Sequence, residues 1–202
     1  MIDQQAIRFL KQDMKLAKII KRVGNYQIKK RNNHFASLVE AIISQQLASG
    51  AADAIIRRFK KLYPRFPKPI QVLNTKDSKL RSVGLSKMKV GYLKDLAGKI
   101  ENGDLKIRTL SKESDEEIIA QLIQVKGIGR WTAEMFLIFS CGRLDVLPVD
   151  DLGLRKGVQL AFSLPDLPKP KEVEKIGMRW KPYRSIATWY LWKSLQKFDN
   201  IG

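Results

Sequence analysis

Two adjacent aspartates, Asp150 and Asp151, come after Pro148 and head an apolar helical run, Leu152–Phe162. Either can be the N-cap of that helix, because a side-chain oxygen there accepts the unpaired amides of the first turn. The helix dipole at the same end favours a negative charge. A carboxylate so held can do more than cap. It can stabilise a developing cation, or orient and deprotonate an attacking water. On physical grounds alone both aspartates qualify.

The second chemical feature is Leu122-Ile-Gln-Val-Lys-Gly-Ile-Gly-Arg-Trp-Thr-Ala133. Gly127 and Gly129, one residue apart between two helical runs, predict a tight turn built from residues without Cβ. Such a turn presents backbone N–H groups at a helix N-terminus, a cradle for an anion such as phosphate. Lys126, Gly127, Ile128, Gly129 and Arg130, with Thr132 in the first helical turn beyond, are the candidates to meet a nucleic-acid phosphate, and Ile128 should also point inward and lock the two helices. Trp131, Trp180, Tyr183 and Trp189 are the aromatic candidates for a ligand pocket, with Met135 one turn beyond Trp131. An aromatic face favours a cationic ring. His34, the only histidine, has no ligand partners at metal spacing and reads as a surface or helix-entry residue. The lone Cys141 excludes an intramolecular disulfide, a cysteine-ligated iron–sulfur cluster and a cysteine-rich zinc site, and suggests a reducing, intracellular compartment.

The elements that must position these residues are helices. Apolar residues recur at spacings of three and four almost throughout, and period-2 alternation is nearly absent, so the chain reads as all-α. The spacing predicts one helix over 5–23 with Ile7, Leu10, Met14, Leu16 and Ile20 inward. A second starts at Phe35 and is interrupted at Ser49-Gly50, and a third covers Ala51–Tyr63. Short helices at 70–75 and 77–82 precede one over Ser86–Glu101. Ser114-Asp-Glu-Glu117 has the capping-box spacing and starts a helix that the glycine turn ends. Helices over Arg130–Cys141, 151–162, 171–177 and 181–198 complete the chain, with proline-rich connectors at Pro64–Pro69 and Leu164–Pro170.

The chain has 202 residues, of which 44% are hydrophobic, enough for a packed core. Its 38 Lys and Arg against 20 Asp and Glu leave a formal net charge of +18. A nucleic acid is the natural counter-surface, since basic side chains release counterions from phosphates. The basic clusters Lys29–Arg31, Arg57–Lys61 and Lys79–Lys89 spread along the chain and suit one broad face rather than a tail. No apolar run is long enough to span a membrane, and the N-terminus lacks a secretory apolar stretch.

The glycine turn resembles the helix–hairpin–helix of the base-excision DNA glycosylase superfamily. The loop Gly142-Arg-Leu-Asp-Val-Leu-Pro-Val-Asp-Asp-Leu-Gly-Leu-Arg-Lys156 is similar to that family's aspartate-bearing loop. The match is closest to the alkylation-repair branch, the 3-methyladenine DNA glycosylase II type. Ala41-Ile-Ile-Ser-Gln-Gln46, Gly84-Leu-Ser-Lys-Met-Lys89, Tyr92-Leu-Lys-Asp-Leu-Ala97 and Arg179-Trp-Lys-Pro-Tyr-Arg-Ser185 also resemble that branch, in order, over roughly 20–195. The chain has no room for the extra N-terminal β-domain of the best-known bacterial member, so a compact form is expected.

The resemblance implies two helical lobes. A central one over about 30–140 ends in the hairpin; the other combines 1–29 with 141–202 and carries the aspartate loop. A cleft between them would hold the site. The branch carries its catalytic aspartate in P-x-x-D-L-G, which maps onto Asp151, with Asp150 as cap or helper. It implies hydrolysis of the N-glycosidic bond of alkylated purines such as 3-methyladenine and 7-methylguanine, with the nucleotide flipped out of the duplex. Where bifunctional relatives carry a lyase lysine, two residues after the second glycine, this chain has Trp131, which cannot form a Schiff base. Base removal without lyase activity is therefore expected.

By position Gln46 or Leu47, in Ser44-Gln45-Gln46-Leu47, would fill the gap in the base stack. Main-chain carbonyls of Ile123, Val125 and Gly127 would ligate a Na⁺ or K⁺ ion, with no other cofactor required. The implied partner is double-stranded DNA with alkylated bases, met by a monomer in the cytoplasm, nucleoid or nucleus. Two alternatives are a non-catalytic helix–hairpin–helix DNA-binding protein and a glycosylase for oxidised or deaminated bases. The first has no use for Asp151, and the missing lysine and cysteine cluster count against the second.

Overall fold

The computed structural model describes residues 2–26, 28 and 31–198. Among them there are helices and turns and no strands, as the helical periodicity predicts. The chain divides into two compact units: Lys30–Cys141, and Met1–Lys29 joined with Gly142–Gly202. In chain order the discontinuous unit starts with α1 (Ile2–Leu10) and α2 (Met14–Val23). The continuous unit holds α3 (His34–Ser44), α4 (Ser49–Lys61), α5 (Pro69–Asn74), α6 (Asp77–Arg81), α7 (Lys87–Glu101), α8 (Asp115–Leu122) and α9 (Arg130–Phe136). A wider π-turn, Leu137–Cys141, extends α9. The discontinuous unit then resumes with α10 (Leu152–Phe162), α11 (Pro170–Gly177) and α12 (Arg184–Phe198).

In the continuous unit α3 packs against α4, α7 and α9, and α7 packs against α5 and α6. Leu38, Val39, Ile42 and Ile43 of α3 are buried there, as are Val90, Leu93 and Leu96 of α7. Ser114 caps α8 with the reciprocal geometry its spacing predicts: Ser114 Oγ accepts the Glu117 amide, and Glu117 Oε2 accepts the Ser114 amide at 2.8 Å. In the discontinuous unit α2, α10 and α12 bury Leu16, Ile20, Leu154, Val158, Ala187 and Leu191 together.

Boundaries differ from the periodicity reading at several points, α12 among them, which starts at Arg184 rather than at 181. The expected single helix over 5–23 is two, because Asp13 captures the amides of Lys15 and Leu16 at 2.9 and 3.3 Å and restarts the helix. Met14 is consequently 79% exposed rather than inward. The break expected at Ser49-Gly50 falls earlier, at Gln45–Ala48, and Ser49 opens α4. Gln46 there takes a left-handed φ of 56°. The helix predicted to run to Cys141 widens at Leu137, where Ser140 Oγ bonds the His34 ring at 2.8 Å. His34 stands at the entry of α3, as expected, and its ring is a structural partner inside its unit. Cys141 is buried, and no described helix is long and apolar enough to cross a membrane.

Candidate active site

The glycine turn closes as its sequence requires. Gly127 has φ +82°, and a Cβ there would lie 2.2 Å from Tyr92 Cδ2. Both the conformation and the space demand glycine. Gly129 differs: its φ is −95°, a Cβ would meet nothing within 4 Å, and it serves as the N-cap of α9 with no side-chain cap. Ile128 is 4% exposed and locks the turn inward.

The turn's amides are only partly on offer. Lys126 N–H donates to Asp95 Oδ2 at 2.8 Å, and Ile128 N–H donates to the Val125 carbonyl at 3.0 Å. Ile128 is therefore a packing residue, not a DNA contact. Thr132, also expected to meet DNA, is only 6% exposed and lines the adjoining cavity. Arg130 is exposed but engaged. Its Nη2 lies 2.8 Å from Glu116 Oε1 and its Nε 3.2 Å from Glu134 Oε1. The Glu116 hydrogen bond is the main reason the guanidinium sits above its usual range.

Of the carbonyls expected to hold a monovalent cation, Val125's accepts the Ile128 amide and Gly127's accepts Gln45 Nε2 at 2.7 Å. Ile123, the remaining residue of the three, is 45% exposed.

Beside the turn lies a cavity of about 730 Å³ within the continuous unit. Trp131, 47% exposed, and Met135 line it as their spacing predicts. So do Gln46 and Leu47, from the turn between α3 and α4. Tyr92, Met88 and Lys89 of α7 complete the wall and were not foreseen as site residues. Their signal was present in Lys89, Tyr92 and Asp95, spaced by three on one helix face.

Trp180 and Tyr183 are not in that wall. Trp180 is fully buried in the core of the discontinuous unit, where its indole N–H donates to Asp13 Oδ2 at 3.1 Å. It has no surface to offer a base, so the expectation that it lines the pocket is corrected. Tyr183 packs edge-on against Phe9, 5.5 Å between ring centres. Trp189 is likewise core, edge-on to Tyr26 and Tyr190.

In the discontinuous unit Asp151 is the N-cap of α10, and Asp150 stands exposed in the preceding turn. Asp150 is thus not the cap. Asp151 Oδ1 accepts the Leu154 amide at 2.6 Å and Trp192 Nε1 at 2.7 Å. Trp192 was missed by the sequence reading because it lies 41 residues away, on α12. Gly153 makes room for the pair: a Cβ there would come within 3.1 Å of the Trp192 ring and 3.2 Å of Asp151 Oδ1. A half-buried carboxylate held at a helix N-terminus by two N–H donors has one fixed direction, the property a group acting on a water or a sugar cation needs.

Residues 39–182 match the HhH-GPD superfamily base excision DNA repair proteins. The chain belongs to this family. It is 38% identical to DNA-3-methyladenine glycosylase 1 of Schizosaccharomyces pombe, over 90% of this chain and 82% of that one. It superposes with a TM-score of 0.85 on the structure of S. pombe 3-methyladenine DNA glycosylase in complex with abasic DNA, 37% identical, covering 95% and 97% of the two chains. A DNA-3-methyladenine glycosidase from Bacillus halodurans superposes at 0.86, also 37% identical, covering 96% and 89%.

Proposed function

We propose that this protein is a monofunctional glycosylase that removes alkylated purines from duplex DNA, of the 3-methyladenine and 7-methylguanine type. The observation that carries the reading is the Asp151 carboxylate, set by the Leu154 amide and the Trp192 indole at the head of α10. The Leu154 bond alone is an ordinary helix cap; the second donor, Trp192, adds an orientation that capping does not require. Relatives named as DNA-3-methyladenine glycosylases, similar over most of the chain, support the substrate class.

The chemistry is set by the substrate's charge. An N-alkylated purine in a nucleoside is cationic. When its C1′–N bond breaks, the electron pair goes to the base, which leaves neutral and needs little acid help. Positive charge develops on the sugar, and the Asp151 carboxylate stabilises it. Water adds to C1′ and gives up its proton, which Asp151 accepts. Within the continuous unit Trp131, Tyr92 and Met135 offer aromatic and polarisable faces that suit a cationic base. Trp131 occupies the place of a lyase lysine, so the product is an abasic site in an unbroken strand, and the reaction as written calls on no metal or organic cofactor. One monomer acts on one lesion.

The test is incubation with methylated duplex DNA and chromatography of the released bases. Free 3-methyladenine or 7-methylguanine is expected, with strands intact until alkali is added. No base release, or a borohydride-trapped protein–DNA adduct with strand scission, overturns the reading.

A further inference from the structure

The turn between α3 and α4 is fastened by two side chains, Lys89 and Gln45, that also line the cavity. Gln45 ends α3, Gln46 is forced into the left-handed region, and the Leu47 amide returns to the Ser44 carbonyl at 3.2 Å. A left-handed non-glycine residue costs on the order of 1 kcal/mol, so its surroundings must hold it there.

Lys89 is one such restraint. Its own amide is fixed by Ser86 Oγ at 3.2 Å, in the first turn of α7. Its Nζ reaches across to the carbonyls of Ile43 and Gln45, each at 2.7 Å. These lie at the C-terminal end of α3, where unpaired carbonyls and the helix dipole favour a cation. Burial lowers the ammonium from the usual lysine range. The second restraint is Gln45, whose Nε2 donates to the Gly127 carbonyl at 2.7 Å. One continuous chain of hydrogen bonds therefore runs from α7 through the exposed turn to the hairpin.

The structure assigns Lys89 and Gln45 as positioning residues: together they hold the Gln46–Leu47 turn in the shape that enters the gap left by an everted nucleotide, and they join that turn to the hairpin. The assignment rests on the proposed base-flipping activity. Entering a base stack works against unstacking energy of a few kcal/mol. A turn that must first be ordered loses part of what it gains on insertion. Two charge-assisted bonds to carbonyls of one helix end, plus an amide bond to a second element, supply that order beforehand.

The test uses duplex DNA with a stable abasic-site analogue and 2-aminopurine as the neighbouring base. Binding is followed by anisotropy and unstacking by 2-aminopurine emission at saturation. The variants are Lys89→Met, which keeps the stem and removes the donors, and Gln45→Leu, a milder change at the surface. Emission at saturation should fall about threefold or more in each while binding persists, and the double variant should add little to the worse single one. Wild-type emission at saturation in both variants, or loss of all binding in both, overturns the assignment. Release of methylated purines by the wild type is scored separately. A wild type that unstacks the probe but frees no base keeps this assignment and removes the proposed activity.

Discussion

The indole N–H of Trp192 points at Asp151 Oδ1 from 2.7 Å, so the same oxygen that caps α10 is also held from α12. Capping and chemistry can be separated at this residue. Asparagine is as good an N-cap as aspartate, whereas alanine forfeits the cap at a cost of about 1 kcal/mol. Asp151→Asn should therefore keep the wild-type melting temperature and DNA affinity while base release falls roughly a hundredfold or more. Single-turnover excision on methylated duplex DNA, set beside thermal unfolding, reads both. If Asp151→Asn stays active and Asp150→Asn is dead, the exposed aspartate does the chemistry instead.

Trp192→Phe keeps the ring in its packing and removes one donor. Loss of that hydrogen bond should slow excision about tenfold without moving the substrate concentration dependence. Added to Asp151→Asn it should do almost nothing further, because its effect passes through the carboxylate. Gly153→Ala tests the same pair sterically. Its methyl would crowd both the Trp192 ring and Asp151 Oδ1, so activity should fall in the same direction.

The two hairpin glycines are not equivalent. Gly127→Ala sets a left-handed φ against a Cβ and drives that Cβ into Tyr92. A loss of about 2 kcal/mol or more is expected in denaturant unfolding. Gly129→Ser has ordinary φ and open space, and serine is a good N-cap, so stability should stay within about 0.5 kcal/mol of wild type or rise. DNA affinity should nonetheless drop if a phosphate must approach that backbone.

Much of this was legible from residue types. The capping box at Ser114, the need for glycine at 127 and the apolar faces of α3 and α7 are local, and local rules reach them. The Asp151 cap was legible to within one residue. What escaped was long-range. Nothing in the sequence around Trp180 and Trp131 says that one is sealed against Asp13 and the other half open, since the partners that decide it are remote in the chain. The Lys89 ammonium was hidden among basic residues because its distinction is the pair of carbonyls it meets, 46 and 44 residues earlier. Asp13 escaped for another reason: the helical period runs across it, and only the competition of its carboxylate for two amides ends the helix.

The capping box carries a pH effect. The Ser114 hydroxyl and amide, which donate to Glu117, hold its carboxyl below the ordinary value. A depressed folded value means that the carboxylate's contribution is present above the unfolded value and is lost as pH falls through the folded one. Acidification below about pH 4 should therefore fray the first turn of α8, visible as faster amide exchange at Glu117. Glu117→Gln keeps an acceptor for the Ser114 amide and should lose that pH dependence.

Arg130 offers the sharpest separation of charge from contact. Its guanidinium faces Glu116 through two bonds, at 2.8 and 3.3 Å, and Glu134 through a third. In the free protein, therefore, it is not a bare cation waiting for phosphate. The Glu116 pair is exposed on both sides, so it adds at most about 1 kcal/mol to stability. Glu116→Gln should leave unfolding nearly unchanged and release Arg130 toward DNA. Binding to undamaged duplex should then tighten about threefold, and the slope of log affinity against log salt should steepen by less than about one unit. Arg130→Gln should move both quantities the other way, equally on all sequences. If Glu116→Gln instead leaves both affinity and slope at wild-type values, Arg130 is a brace between α8 and α9, and the phosphate is met by Lys126 and the backbone alone.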